Sequence, residues 1–392
     1  MLSTFTNRLT RLTTQLETRW VAPAYSGWVL LGLTFFFLLA AANTLAGWLY
    51  VLSGMGLALM VTAILLPVRT LRGLTVERSP IDPVHMGRAL KIALTVTNQT
   101  AAAKALLQVQ DPIPRALGRS PRTVIATLAP QALHTWTYEL DTRQRGIYRW
   151  HTLELRTAAP LGLFWCRRTR TVAAEAIVYP PVLPLQQCPV IDQVIQAQTL
   201  QLQPQRLSTQ AGNEGVTRSL RPYRWGDPMR LVHWRTSARH NELRTRELEV
   251  FANREQTVII ALDCAVDWHP DDFEQAVIAA ASLYEYARHH YASVGLWTAG
   301  SGLQHPPRFV FKTLAQVQPN GVTQYPLPRM PVIWLSPTPI NLMLLPQHSR
   351  CLLWSSQRRQ PESSAPSDRP VSLPSWLIQP DQPLLPQLQR PI

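Results

Sequence analysis

Lysine is almost missing from this 392-residue chain: only Lys91, Lys104 and Lys312 occur, so nearly all of its 38 basic residues are arginines. Against 24 acidic residues they leave a net charge of +14. Such an excess calls for an anionic neighbour, a membrane face or a nucleic acid, without choosing between them. Cysteine is scarce as well. Cys166, Cys188, Cys264 and Cys351 lie far apart, with no C-x-x-C pair and no histidine at ligand spacing. That pattern excludes a disulfide framework and a thiolate zinc site, and it predicts free thiols in a reducing compartment. Charge of either sign is absent from residues 27–66. A single membrane span needs only about 20 residues, so this run holds two.

The two spans are predicted near residues 25–42 and 47–66, joined by Asn43, Thr44, Leu45 and Ala46. Arg8, Arg11 and Arg19 precede the pair, and Arg69, Arg72 and Arg78 follow it. Positive charge on that one side predicts an inner-membrane, two-pass protein with both termini and the soluble part in the cytoplasm. A cleaved signal peptide ending near Ala40-Ala41-Ala42 is the rival. It would leave the second span as an anchor with the basic domain outside, against the arginine bias. Within residues 1–24, Phe5, Leu9, Leu12, Leu16 and Trp20 recur at helical spacing among the arginines. They suggest an interfacial helix, with a frayed terminus as the alternative.

Beyond residue 74 the hydrophobic period becomes two. Leu90, Ile92, Leu94 and Val96 alternate with polar neighbours, as do Trp136, Tyr138 and Leu140 and then Leu153 and Leu155. Short strands so spaced predict an antiparallel β-sandwich over residues 75–180. Residues 181–210 are rich in Gln and Pro and are expected to be a linker. Residues 211–355 then carry an α/β domain: the unbroken apolar run Val258, Ile259, Ile260, Ala261 and Leu262 fits a strand covered on both faces. A helix follows, with Asp271 as its cap and Phe273, Ala276, Val277, Ala280, Leu283, Tyr284 and Ala287 as its buried stripe. Further strands are predicted at residues 294–298, 332–336 and 351–355, and residues 356–392, dense in Pro, Ser and Gln, as a disordered tail.

Special-purpose residues concentrate in residues 220–248, LRPYRWGDPMRLVHWRTSARHNELRTREL. Asp227 beside Pro228 predicts a helix start, with Gly226 allowing a tight approach and a helix over residues 228–239. Leu231, Trp234 and Ala238 then face inward, while Arg235 and Arg239 share a neighbouring face. Three readings of the segment stay open. In one, arginines pair with the local acids while Tyr223 and Trp234 are core anchors. In another, a surplus of guanidinium groups recognises carboxylates or phosphates of a partner. In the third, Tyr223, Trp225 and Trp234 form a stacking platform for nucleic acid, an assignment that tethering to a membrane disfavours. His233 lacks a Ser or Cys nucleophile in a triad setting and reads as structural rather than as a general base.

The series Tyr223, Gly226-Asp227, Arg230, His233-Trp234, Ser237-Ala238-Arg239, Glu242-Leu243 and Arg246-Glu247 resembles the signature of the prokaryotic domain of unknown function fifty-eight. Arg145-Gly146-Ile147-Tyr148, Pro160-Leu161-Gly162-Leu163-Phe164 and Val178-Tyr179-Pro180 resemble the same family. The resemblance implies a von Willebrand factor A-like α/β domain and, as partner, a MoxR-type AAA+ ATPase. The signature and the arginines around it give the partner-binding candidates Arg221, Tyr223, Gly226, Asp227, Arg230, His233, Trp234, Arg235, Ala238, Arg239, Glu242, Arg246 and Glu247. In such domains the first strand ends in Asp-x-Ser-x-Ser and holds magnesium. Here it ends in Asp263-Cys264-Ala265-Val266-Asp267, with both serines replaced. Asp263 and Asp267 are the residual metal candidates of an alternative, metal-dependent enzyme. The preferred expectation is a non-enzymatic, membrane-anchored cytoplasmic adaptor that needs no cofactor.

Overall fold

The computed structural model describes residues 21–208, 216–225, 227, 229–249, 257–291, 293–338, 345–346, 348–354 and 375–390. The chain divides into two compact units, residues 1–180 and 181–392. Most of the expected interfacial helix lies outside the described residues.

The first unit opens with a two-residue strand, β1 (Ala22–Pro23), followed by helices α1 (Tyr25–Thr44) and α2 (Gly47–Thr70). Both are long and apolar enough to cross a membrane. Several of their hydroxyls bond back to the preceding turn, Thr34 Oγ donating to Leu30 O at 2.7 Å and Thr44 Oγ to Ala40 O at 2.7 Å. An apolar surrounding demands such internal satisfaction. Where the helices meet, a Cβ added to Gly56 would come within 2.6 Å of Thr34 Oγ. A small residue at that crossing lets the backbones approach.

Eight strands follow: β2 (Leu74–Arg78), β3 (Val84–His85), β4 (Ala89–Asn98), β5 (Lys104–Gln110), β6 (Arg122–Leu128), β7 (Leu133–Asp141), β8 (Gly146–Thr157) and β9 (Phe164–Tyr179). They form an antiparallel sheet in the order β2-β4-β7 and a larger one in the order β1-β9-β8-β5-β6, with β3 added parallel to β9. The period-two pattern of β4 becomes strict alternation, its Leu90, Ile92, Leu94 and Val96 being fully buried. Both sheets contribute to the same cores: Leu94 and Val96 join Leu107, Val109, Leu153 and Leu155, and Leu90 and Ile92 join Trp150, Ala176 and Val178. Tyr138 touches both clusters, and its hydroxyl donates to Asp111 at 2.6 Å. The same buried carboxylate pairs with Arg78 at 2.6 Å and accepts the Trp150 indole N–H at 2.9 Å. A buried charge persists only with this kind of full pairing.

The second unit departs from expectation at both ends. Residues 189–208, expected within a linker, form helix α3 (Pro189–Ser208), whose Val190, Ile191, Val194 and Ile195 are buried. Their i, i+1, i+4, i+5 spacing supplies a helical stripe. After α3 come β10 (Val216–Pro222), α4 (Trp234–His240), β11 (Arg244–Glu249), β12 (Thr257–Leu262), α5 (Pro270–His290), β13 (Ser293–Thr298), β14 (Gly302–Gln304), α6 (Pro307–Gln316), β15 (Val332–Ser336), β16 (Arg350–Trp354), β17 (Ser375–Ile378) and α7 (Leu384–Gln389). The last two correct the expectation of a disordered tail. Trp376 and Ile378 are buried in β17, and buried Gln387 of α7 accepts the Gln379 N–H at 2.8 Å and donates to Gln379 O at 2.9 Å.

The main sheet has the order β14-β13-β12-β15-β16-β17, with every pairing parallel except β13 with β14. β12, β13 and β15 are buried almost throughout. The stripe predicted on α5 is buried residue by residue. Pro270 occupies its first turn with Asp271 and Asp272, while His269 is the cap residue in place of the expected Asp271. Because β12, first in the chain, sits between β13 and β15, the strand order reverses there. Open α/β sheets bind ligands at the carboxyl end of such a reversal.

Candidate functional site

Special-purpose side chains meet at two places, the signature segment and the carboxyl end of β12. The signature folds as an antiparallel β10–β11 hairpin, with Leu220 opposite Arg246 and Arg221 opposite Thr245. The long connection is tied to it by short bonds. Tyr223 N–H donates to Leu243 O at 2.8 Å, His233 N–H to Arg244 O at 2.8 Å, and Arg244 N–H to Ser237 Oγ at 2.9 Å. Asn241 ends α4 in the left-handed region at φ 51°, a position asparagine tolerates.

Asp227 is the centre of this module. Arg221 Nη1 and Nη2 each donate to one carboxylate oxygen at 2.8 Å, and the Arg224 N–H donates to Oδ2 at 2.9 Å. The Arg221 bonds, then the Arg224 N–H, hold the carboxyl below the usual aspartate range. The expected helix over residues 228–239 is corrected accordingly. A bidentate guanidinium pair outcompetes a cap on backbone amides, and Met229–Leu231 is a 3-10 turn, with α4 beginning only at Trp234. His233 is its cap residue, Nδ1 accepting the Thr236 N–H at 3.2 Å and lying 2.7 Å from Thr236 Oγ. The His233 ring thereby closes the first turn of α4.

The inward assignment of Leu231, Trp234 and Ala238 also needs correction. The intervening 3-10 turn breaks their helical phase, and Ser237 is the residue α4 buries. Trp234 is 60% exposed and Ala238 is exposed, whereas Leu231 and Tyr223 are half-buried. Trp225 is fully exposed, and Met229 and Leu243 are exposed too. Arg224, Arg235, Arg239, Glu242 and Arg246 are exposed beside them in sequence. Arg230 lies in the 3-10 turn and Glu247 opposite Ser219 on β11. Gly226 lies outside the described residues.

At the carboxyl end of β12, Asp263 is buried. Its Oδ1 accepts the Ala265 N–H at 3.3 Å and its Oδ2 the Ser336 hydroxyl at 3.2 Å, while Trp268 Nε1 donates to its main-chain oxygen at 2.6 Å. Ser336 ends β15 and is fully buried. Sequence reading missed it, although the strand-end reasoning that selects Asp263 applies equally to it. Asp267 is exposed, Ala265 offers no side-chain oxygen, and among the described residues no group of three His, Cys, Asp or Glu side chains stands together. The strand ends thus bring one carboxylate and one serine hydroxyl together. Three of the four thiols, those of Cys188, Cys264 and Cys351, are poor nucleophiles. Burial raises Cys264 and pushes Cys188 and Cys351 up to about 12, so thiolate is negligible near neutral pH.

Residues 219–317 match the family described as "Protein of unknown function DUF58". The chain carries a DUF58 domain. "Uncharacterized protein YeaD" of Bacillus subtilis is 23% identical over 233 residues, covering 55% of this chain and 53% of that protein. The chain thus spans about half the length of this curated relative. Among solved structures, the CARDB domain of PF1109 from Pyrococcus furiosus covers 27% of the chain and 94% of itself at 17% identity, with a TM-score of 0.20. A β-glucosidase from Listeria innocua, in complex with isofagomine, covers 28% of the chain and 16% of itself at 14% identity, with a TM-score of 0.18. Scores so low establish no shared fold. The DUF58 match begins within β10 and takes in the rest of the β10–β11 module, β12, α5, β13, β14 and α6.

Proposed function

We propose that this DUF58 protein is a membrane-anchored, non-enzymatic adaptor. Helices α1 and α2 cross the inner membrane, both soluble units stand in the cytoplasm, and the exposed side chains of the β10–β11 module bind a protein partner. The first soluble unit is a β-sandwich in this reading. The second is von Willebrand factor A-like, in keeping with a parallel sheet whose one antiparallel strand is at the edge. A MoxR-type AAA+ ATPase is the partner the family resemblance implies.

The single observation carrying this reading is the exposure of Trp225, Met229, Trp234 and Leu243 together with Arg224, Arg235 and Arg239 in one module held by the Arg221–Asp227 clamp. Trp, Met and Arg are the residue types enriched in interface cores. Large apolar side chains in water cost free energy, about 25 cal/mol per Å², that a partner recovers by covering them. Arginine adds recognition of carboxylates.

The test uses the full-length chain in nanodiscs and the purified MoxR-type ATPase of the same organism, with affinity measured by calorimetry. Arg235→Glu/Arg239→Glu is expected to weaken binding about tenfold or more, since each lost charged contact at an interface is worth about 1 kcal/mol or more and 1.4 kcal/mol is tenfold. Equal affinity for the folded variant, or no binding by the wild type, sinks the proposal.

A further inference from the structure

The turn joining β8 to β9 reads Ala158, Ala159, Pro160, Leu161, Gly162 and Leu163, and Phe164 and Trp165 open β9. Connections that face water ordinarily carry polar side chains. This one carries none, and Leu161 at its tip is exposed. Its surroundings explain the composition. Phe164 forms a buried cluster with Met60 and Ala63 of α2, against which Val21, Leu30, Ile64 and Leu163 pack.

That contact lies deep along the helices. Arg69 is the first charged residue after the uncharged run, and a charge at the end of a span settles at headgroup level. At 1.5 Å per residue, Ala63 lies about 9 Å and Met60 about 13 Å further along α2 than Arg69. Half of a hydrocarbon core is about 15 Å. Phe164 therefore meets α2 at a depth where the helix is surrounded by acyl chains.

Backbone groups in hydrocarbon must be satisfied within the protein, and several of the turn's groups are. Gly162 N–H donates to Ala158 O at 2.8 Å, Ala159 N–H to Thr157 Oγ at 3.1 Å, and Pro160 has no N–H. Ala24 N–H donates to Leu163 O at 2.8 Å and Ser26 Oγ to Gly162 O at 2.9 Å. A Cβ on Gly27 would overlap the Leu163 carbonyl oxygen, and Gly162 holds a φ of +70° that side chains resist. Charge resumes just outside the apolar stretch, at Arg156 and at Arg167, Arg168 and Arg170. Arg156 lies 4.0 Å over the Trp165 ring, a pairing of the kind that sits at a membrane interface.

We propose that residues 158–164 are a third membrane element, a wedge of the β8–β9 turn inserted among the acyl chains of the leaflet facing the soluble units. This rests on the reading that α1 and α2 cross the bilayer. The β-sheet unit is thereby seated on the membrane surface at two places, the helix ends and the wedge.

The test places an environment-sensitive fluorophore on single introduced cysteines in the full-length chain, reconstituted in phosphatidylcholine vesicles with or without brominated acyl chains. Leu161→Cys reports the wedge and Met55→Cys, exposed on α2, reports the span. Gln144→Cys, in the turn at the other end of β8, reports water, and the unsubstituted chain, whose cysteines are buried, sets the background. Quenching and a blue shift at 55 and 161, with neither at 144, are expected. If 55 is quenched while 161 behaves like 144, the wedge is overturned and the spanning helices stand. If 55 is not quenched, both fall.

Discussion

Asp227 shows how one side chain redirects a segment. Aspartate before proline ordinarily starts a helix. Here Arg221, six residues earlier on the neighbouring strand, takes both carboxylate oxygens instead. Which of these wins depends on a partner that only the hairpin pairing delivers, so the sequence alone could not decide it. The consequence is testable by pH. Because pairing lowers the Asp227 pKa in the ordered module, ordering is favoured above the unfolded aspartate value of about 3.9 and is lost as pH falls through the lower, folded value. Amide hydrogen exchange at residues 223–225 is expected to be flat from pH 7 to about 4.5 after correction for intrinsic rates, then to accelerate relative to amides of β12. Asp227→Asn should exchange fast throughout. Acceleration beginning at pH 6, or a variant indistinguishable from wild type, contradicts the clamp. Burial of Trp234 was misjudged for a related reason. Its spacing from Leu231 and Ala238 is helical, but a 3-10 turn intervenes, and spacing carries meaning only inside one continuous helix.

Elements with a long, uniform pattern were legible. The run at β12, the stripe on α5, the alternation in β4, and the two apolar helices all appear at nearly their predicted bounds. What escaped were short elements whose composition is dominated by Gln and Pro. α3 alternates leucines with Gln and Pro over its second half, and β17 and α7 have four and six residues, too few for a period to register. Gln387 misleads further, since an amide that counts as polar in composition is here a buried bridge from α7 to Gln379 and Gln382. The edge strand yields a stability prediction. Trp376 is 7% exposed on β17, which pairs in parallel with β16, so Trp376→Ala should destabilise the second unit by about 3–5 kcal/mol. Denaturant unfolding of the full chain, followed by a reporter in that unit, gives the value. A change within about 0.5 kcal/mol is what a disordered tail would give and would contradict the placement of β17.

On the scale of the whole chain, the candidate site was legible as a place and misread as a geometry. The signature residues do gather in one module, but its tryptophans face outward and its aspartate holds an arginine. At Asp263 the carboxylate accepts from Ala265 and from Ser336, a partner 73 residues on that spacing along the chain does not reveal. The adaptor reading and the membrane wedge share one premise, that the uncharged run threads the bilayer twice and leaves everything after it on the inner side. Single cysteines at exposed Gln144 and Val322, one in each unit, labelled in intact cells with a membrane-impermeant maleimide, test it most directly. Neither position is expected to react until the inner membrane is permeabilised. Labelling of either one from outside an intact inner membrane would contradict the account.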